Sequence, residues 1–432
     1  MRLRVLPARK PLRGHYRPPG DKSISHRLAI LGGLAEGETR IAGYLDSEDT
    51  LATLAAMEAL GAVVTRDEDI ITIRASGLRA PSAPLDLGNS GTGMRLLCGA
   101  LAGRPELIGQ KVTLVGDASL SRRPMARIVD PLTRMGARIE AVEGHAPLVL
   151  TPARLTAVRH ETRVASAQVK SALLLAGLVA DGQTIVVEPA LSRDHTERLL
   201  PAFGVELTRV GDGIALSGGQ RLRGDSFQVP GDLSSAAFVI AAALLVEESR
   251  VTLDNVGLNP TRDGILRIVE RMGAVLTVEP VPGVGSEPVG RIHVQGTAMT
   301  GIDVPSQWVS RSIDEFPVVM ALAAASAGET RIEGAAELRV KESDRIAVMC
   351  AQLNELGVDV EERPDGAIVR GGPVRGGRVD CHGDHRIAMS LAVLGLVADD
   401  AVEIDNADWI RTSYPAFTRD LAALGADLSW LA

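Results

Sequence analysis

Arg262-Asp263-Gly264-Ile265-Leu266-Arg267-Ile268-Val269-Glu270-Arg271-Met272-Gly273-Ala274 is the phrase from which the architecture can be worked out. Ile265, Leu266, Ile268, Val269 and Met272 follow the i, i+3, i+4, i+7 spacing of one helical face, so this helix is expected to lay that face on a core. Gly273 then suits the left-handed position just past a helix end. The same ending, a large apolar residue, Gly, then Ala or Val, recurs at Leu60-Gly61-Ala62, Met135-Gly136-Ala137, Phe203-Gly204-Val205, Leu356-Gly357-Val358 and Leu424-Gly425-Ala426. The six glycines are spaced 68 to 84 residues apart, which marks a chain of repeated modules.

Each Gly is followed by hairpin signals, such as Asp212-Gly213 and Asp365-Gly366, read as the turns themselves. A second kind of helix recurs and is apolar nearly all round, as in residues 172–179, 236–246, 318–325 and 387–397. A helix without a polar face belongs inside its domain. The module is therefore buried helix, strand, loop, surface helix, Gly, hairpin. Six copies predict α/β domains with helices inside and sheets outside, three modules to a lobe. Met1 to Pro19 reads as the first strand. Val229-Pro230-Gly231-Asp232 is the best internal boundary and mirrors Pro18-Pro19-Gly20-Asp21. The expected division is an N-terminal lobe of residues 21–229 and a C-terminal lobe of 1–20 plus 230–432, joined by two strands near 18–21 and 229–232.

The 432 residues are 45% apolar and 23% charged, enough to bury large cores and too apolar for disorder. The net charge of −8 and an aromatic content of 3% are the reverse of what a general nucleic-acid binder needs. Three scattered cysteines, Cys98, Cys350 and Cys381, suggest a reducing compartment. The longest uncharged run, Leu233 to Val246, has 14 residues, short of the ~18 that span a bilayer. The N-terminus lacks the apolar segment of a secretory signal. A cytoplasmic protein with no nucleic-acid or membrane partner, acting as a monomer, is expected.

The loops entering the buried helices carry the unusual residues. They read Gly20-Asp21-Lys22-Ser23-Ile24-Ser25-His26-Arg27, Gly88-Asn89-Ser90-Gly91-Thr92-Gly93-Met94-Arg95 and Ala165-Ser166-Ala167-Gln168-Val169-Lys170-Ser171 in the first half. In the second half they read Gly231-Asp232-Leu233-Ser234-Ser235, Ser312-Ile313-Asp314-Glu315 and His382-Gly383-Asp384-His385-Arg386. Each places small polar residues at a helix start, where unpaired N–H groups and the positive dipole end face outward. Ordinary N-capping accounts for much of this. It does not account for Lys22, Arg27, Lys170 and Arg386 beside the caps, which read better as phosphate or carboxylate pockets. The glycine spacing after Gly88 is not a dinucleotide fingerprint, and Gly20-Asp21-Lys22-Ser23 is not a Walker loop. Arg122-Arg123-Pro124 follows a strand, and Arg339-Val340-Lys341-Glu342-Ser343-Asp344-Arg345 is expected to open a surface helix.

GDKSISHR, GNSGTGMR, DASLSRRPM, SAQVKSA, SRDHTERLL, NPTRDG, RVKESDR and HGDHRIAMS, in this order and spacing, closely resemble the 5-enolpyruvylshikimate-3-phosphate (EPSP) synthase family, over nearly the whole chain. The resemblance implies a two-lobed inverse α/β prism, in agreement with the repeat count. It also implies transfer of the enolpyruvyl group of phosphoenolpyruvate to the 5-hydroxyl of shikimate 3-phosphate, with release of phosphate through a tetrahedral ketal. That chemistry needs a base, an acid and cations to hold several negative charges, and no metal or cofactor.

By motif match, the resemblance gives Asp314 the role of base at the hydroxyl, and Glu342, with Lys22, that of proton donor to carbon. A cleft that excludes water would suit a donor carboxyl. Lys22, Gly91, Arg123, Gln168, Arg345 and Arg386 are the implied phosphoenolpyruvate ligands. Lys22, Ser23, Arg27, Ser166, Ala167 (through its backbone), Gln168, Asp314 and Lys341 are those for shikimate 3-phosphate. The set draws on both lobes, so closure around the two anions is expected. Gly91 sits where the family's close backbone approach leaves room for the inhibitor glyphosate. Three positions depart from the better-known branch. Ala167 stands where a second Ser is common, with Lys170 as a possible compensation. Thr412 replaces a Lys, with Arg411 adjacent. His195 falls where an aromatic ring stacks on the substrate.

Two rival readings fit the sequence less well. UDP-N-acetylglucosamine enolpyruvyl transferase shares the fold but uses a cysteine before its Arg-Pro, and Gly116 to Pro124 contains none. A six-repeat clamp around nucleic acid would need basic inner helices, whereas these are Ala and Leu with almost no charge. Cys381, His382 and His385 alone make a poor metal site.

Overall fold

The computed structural model describes residues 1–282 and 285–431. The chain divides into two compact units. The N-terminal unit is Gly20–Val229 together with residues 285–287, and the C-terminal unit is Met1–Pro19 with the remainder of the chain from Pro230 onward.

Each unit is built around three helices with no solvent face. In the N-terminal unit these are α1 (Lys22–Leu34), α2 (Gly91–Leu101) and α3 (Ala167–Gly177). In the C-terminal unit they are α4 (Leu233–Leu245), α5 (Phe316–Ala324) and α6 (His385–Gly395). All eleven residues of α6 are buried. Small residues set the spacing between these helices: a Cβ on Gly99 of α2 would fall 2.2 Å from the carbonyl oxygen of Ala172 in α3.

Three sheets cover the helices of each unit. The pattern is clearest in the second module, where Leu85–Asp86 runs parallel to Val112–Val115, which pairs antiparallel with the hairpin His145–Thr151 and Arg138–Val142. The six glycines that end the surface helices all adopt φ between +79° and +110°, as the repeated phrase required. The helices-inside, sheets-outside arrangement of the inverse α/β prism follows.

Three local expectations are corrected. Residues 1–19 form two strands, Arg2–Val5 and Arg13–Tyr16, where one was expected. Arg13–Tyr16 pairs in parallel with Arg250–Gly257 within the C-terminal unit, and Ser226–Gln228 pairs in parallel with Gly37–Ala42 within the N-terminal unit. The hairpin turns are shifted by one residue. Val210 already faces Gly213 and Arg363 faces Gly366, so the turns are Gly211-Asp212 and Pro364-Asp365. Gly213 and Gly366 are needed for packing: a Cβ on Gly366 would fall 1.9 Å from the Ile332 carbonyl of the adjoining strand. Finally, the surface helix of the fifth module begins only at Arg345, capped by Asp344. Arg339 lies in a 3₁₀ turn, Ala336–Val340, and Lys341 and Glu342 lie in the connection.

Candidate active site

In the N-terminal unit, Asp21, Ser90 and Ser166 cap α1, α2 and α3 by accepting from the N–H groups of Ile24, Gly93 and Val169. Lys22 opens α1, its ammonium 2.5 Å from Asp49 Oδ2. The start of α2 lies among guanidinium groups. A Cβ on Gly91 would sit 3.0 Å from Arg123 Nη1 and 3.1 Å from Arg95 Nη1. Arg123 donates to Asn89 Oδ1 at 2.5 Å, and Asn89 in turn donates to Asp117 at 2.8 Å. Gln168, in the first turn of α3, accepts from Arg95 at 2.7 Å and donates to Thr92 at 3.0 Å. Gly91, Arg123 and Gln168, three residues named from sequence, thus converge on one place.

Two basic residues of the same unit face inward. The buried Arg27 donates through Nε to Thr196 at 2.7 Å, through Nη1 to the Ser23 carbonyl at 2.9 Å and through Nη2 to Ser171 at 2.9 Å. Lys170, 3% exposed, lies 2.7 Å from Glu188 and 2.6 Å from Glu197, a pairing that leaves little positive charge to compensate at Ala167. Glu188 also accepts from the N–H of Ser166 at 3.1 Å. His195 is buried as well, 2.7 Å from Glu287, and offers no exposed ring for stacking.

In the C-terminal unit, Asp314, Lys341, Glu342, Arg345 and Arg386 form one network. Asp314 Oδ1 is 3.5 Å from Lys341 and 3.3 Å from Arg345, and the Asp314 carbonyl accepts from Arg386 at 3.1 Å. Asp314 is not a helix cap, since the residue before α5 is Glu315, which makes no side-chain cap. Arg345, 1% exposed, also reaches Glu342 at 2.7 Å and Asp384 at 2.8 Å. Burial alone would lower its pKa, but the fields of Asp384, Glu342 and Asp314 outweigh that and hold it above the usual arginine range. Asp384 caps α6 through the N–H of Arg386, so one carboxylate fixes both cations.

Arg95 and Arg193 were missed by the sequence reading. Arg95 stands in the quoted GNSGTGMR motif, and its position in the first turn of α2 could have placed it beside Gly91 and Gln168. Arg193 donates to Ser23 at 3.5 Å. Thr412 is buried against His385 at 3.3 Å, while Arg411 is exposed beside Met1. Among the described residues no group of three or more His, Cys, Asp or Glu is placed to hold a metal ion. Cys381 donates instead to the carbonyls of Asp405 and Asn406. No helix among the described residues is long and apolar enough to cross a membrane.

The chain is 52% identical over 410 residues to a 3-phosphoshikimate 1-carboxyvinyltransferase of Acidithiobacillus ferrooxidans, covering 94% of each. It is 50% identical over 425 residues to the protein of that name from Alkalilimnicola ehrlichii, covering 97% of this chain and 94% of the relative. The solved EPSP synthase of Acinetobacter baumannii matches with a TM-score of 0.87 at 43% identity, over 99% of this chain and 100% of that one. The family model for EPSP synthase (3-phosphoshikimate 1-carboxyvinyltransferase) matches residues 6–421, and the chain belongs to that family.

Proposed function

We propose that the chain transfers the enolpyruvyl group of phosphoenolpyruvate to the 5-hydroxyl of shikimate 3-phosphate, releasing inorganic phosphate, as a step in aromatic amino acid biosynthesis. The observation that carries the reading is Asp314: a carboxylate just before α5, whose N-cap position belongs to Glu315, held 3.3 Å from Arg345 and 3.5 Å from Lys341. A carboxylate in that setting can accept a proton from a hydroxyl that Lys341 orients.

In the addition step Asp314 takes the hydroxyl proton as that oxygen bonds to C2 of phosphoenolpyruvate, and Glu342, with Lys22, delivers a proton to C3. The product is a tetrahedral ketal carrying a methyl group. Elimination returns one methyl proton to Glu342, breaks the bond from C2 to the phosphate oxygen, and lets Asp314 protonate the departing phosphate. Both carboxyl groups end as they began. Glu342 starts in the grip of Arg345, and a ligand carboxylate or phosphate that engages Arg345 would weaken that pairing.

Phosphoenolpyruvate is assigned to Lys22, Gly91, Arg123, Gln168, Arg345 and Arg386. Shikimate 3-phosphate is assigned to Lys22, Ser23, Arg27, Ser166, the backbone of Ala167, Gln168, Asp314 and Lys341. Every group the reaction calls for is present in a single copy of the chain, which supports a monomer, and cytoplasmic residence accords with the three unpaired cysteines. The test is phosphate release from phosphoenolpyruvate with shikimate 3-phosphate, run beside UDP-N-acetylglucosamine. Release with the first acceptor alone is expected; release with the second alone overturns the reading.

A further inference from the structure

The reaction as derived gives no part to Asn259-Pro260-Thr261-Arg262-Asp263-Gly264. This loop is closed on itself: Asn259 Oδ1 accepts from the Thr261 N–H at 2.8 Å and from its hydroxyl at 2.7 Å, and the Arg262 N–H donates to the Asn259 carbonyl at 2.9 Å. It then presses on the chain around Asp314 at two points. On one side, Gly264 packs so closely that a Cβ there would fall 2.9 Å from Ser312 Cβ and 2.9 Å from the Trp308 carbonyl, while Asp263 pairs with Arg311 at 3.2 Å. On the other side stands the guanidinium of Arg262, 4% exposed. Its Nη2 donates to Asp232 Oδ1 at 3.0 Å and to the Ser234 hydroxyl, which donates to Glu315 Oε1. Glu315 Oε1 lies 3.8 Å from the same nitrogen.

Ser312 and Glu315 are themselves joined, the Glu315 N–H donating to the Ser312 carbonyl at 2.9 Å. Asp314 therefore sits inside a single turn that the Arg262 loop holds at both ends. The two units solve the corresponding problem with opposite polarity. After the capping Asp21 comes Lys22, paired with a carboxylate from the next helix; after the capping Asp232 comes Leu233, and the cation arrives from Arg262. A buried cation placed between two carboxylates is costly to maintain unless its geometry serves something.

We infer that Arg262 is a positioning residue for Asp314: by bridging Asp232 and Glu315 it fixes the Ser312–Glu315 turn against the start of α4, so that the Asp314 carboxylate is presented to Lys341 and Arg345. This rests on the base role proposed for Asp314. A positioning residue acts on the reacting geometry, so its loss should appear in kcat more than in KM.

The experiment is steady-state phosphate release by the full chain, with thermal unfolding recorded alongside. Arg262→Met is expected to lower kcat roughly tenfold or more while KM for either substrate moves less than about threefold, and Arg262→Lys, which keeps a cation over Asp232, to regain most of the loss. Glu315→Gln keeps an acceptor for Ser234 but removes the charge, and about a threefold fall in kcat at unchanged KM is expected; it also serves should the Met variant fail to fold. A folded Arg262→Met with kcat within about twofold of the parent, a Lys variant as impaired as the Met variant, or an unaffected Glu315→Gln overturns the inference. Failure of the unaltered chain to release phosphate defeats the proposed function itself, whereas an active parent with unaffected variants defeats this inference alone.

Discussion

Arg345 holds Glu342 at 2.7 Å with one terminal nitrogen while its Nε rests on Asp384 at 2.8 Å. The two carboxylates are not equivalent. Asp384 is wholly buried and also caps α6, whereas Glu342 is partly exposed. Asp384 is therefore the permanent counter-ion and Glu342 the exchangeable one.

That asymmetry predicts that Asp384→Asn costs about 3 kcal/mol, because a buried guanidinium loses its wholly buried counter-ion. Glu342→Gln should cost less than about 1 kcal/mol, since its partly exposed pair is screened by solvent, while abolishing most turnover. Urea unfolding of the two variants checks the order. Equal midpoints would mean that Asp384 has no special part in holding Arg345.

Gly91→Ala introduces a methyl group that would lie 3.0 Å from Arg123 and 3.1 Å from Arg95, both atoms at the far ends of flexible side chains. The variant should fold normally, with its guanidinium groups pushed a few tenths of an ångström away. The inhibition constant for glyphosate should rise at least roughly tenfold more than KM for phosphoenolpyruvate, a difference of about 1.4 kcal/mol. Parallel inhibition curves for parent and variant would refute this.

His26 is buried in α1, with Nδ1 2.8 Å from Thr53. Burial, reinforced by Lys22 and Arg27, pulls its pKa well below the usual histidine value, so the folded state carries it neutral. The unfolded chain binds a proton near pH 6.5 and the folded chain does not. Stability from this group is thus complete above that pH and falls as acid is added, with a limiting slope of about 1.4 kcal/mol per pH unit. His26→Gln should flatten the stability profile between pH 7 and pH 5, whatever it does to the value at pH 7. An unchanged slope, measured by denaturant titration across that range, would assign the acid sensitivity elsewhere.

Cys98, Cys350 and Cys381 are all buried, and burial pushes each thiol up to about 12. At pH 8 little thiolate forms and reagents have little access. Iodoacetamide should leave the folded protein unmodified and label all three sites in urea, as mass spectrometry would read out. Rapid labelling of the native chain would contradict the burial of these three side chains.

Much of this was legible from spacing alone. The six glycines with positive φ and the apolar helices follow from local rules, because a left-handed helix end and an all-round apolar surface each have few explanations. The turns were misplaced by one residue because Gly213 and Gly366 look like turn glycines, whereas they are required by a third strand that lies far off in sequence. The particular partners of Arg13–Tyr16 and Ser226–Gln228 were equally invisible, since strand partners are chosen by tertiary geometry. At the site, motif spacing located helix starts and their cations. It could not say that Arg27 and Lys170 turn inward while Arg95 reaches Gln168, because a long side chain at a helix start can point either way.

Arg2–Val5 lies between Val402–Asp405 and Leu428–Leu431, paired with both. On the ribosome, Arg2–Val5 must therefore wait, edges bare, until Val402–Asp405 and Leu428–Leu431 have been made. That sheet can be completed only after both partner strands have been made, and its pairing is among the most non-local the chain makes. A permuted version beginning near residue 230 would make Val402–Asp405, Leu428–Leu431 and Arg2–Val5 in close succession and remove nearly all of that wait, and how fast newly made protein reaches its native state should follow.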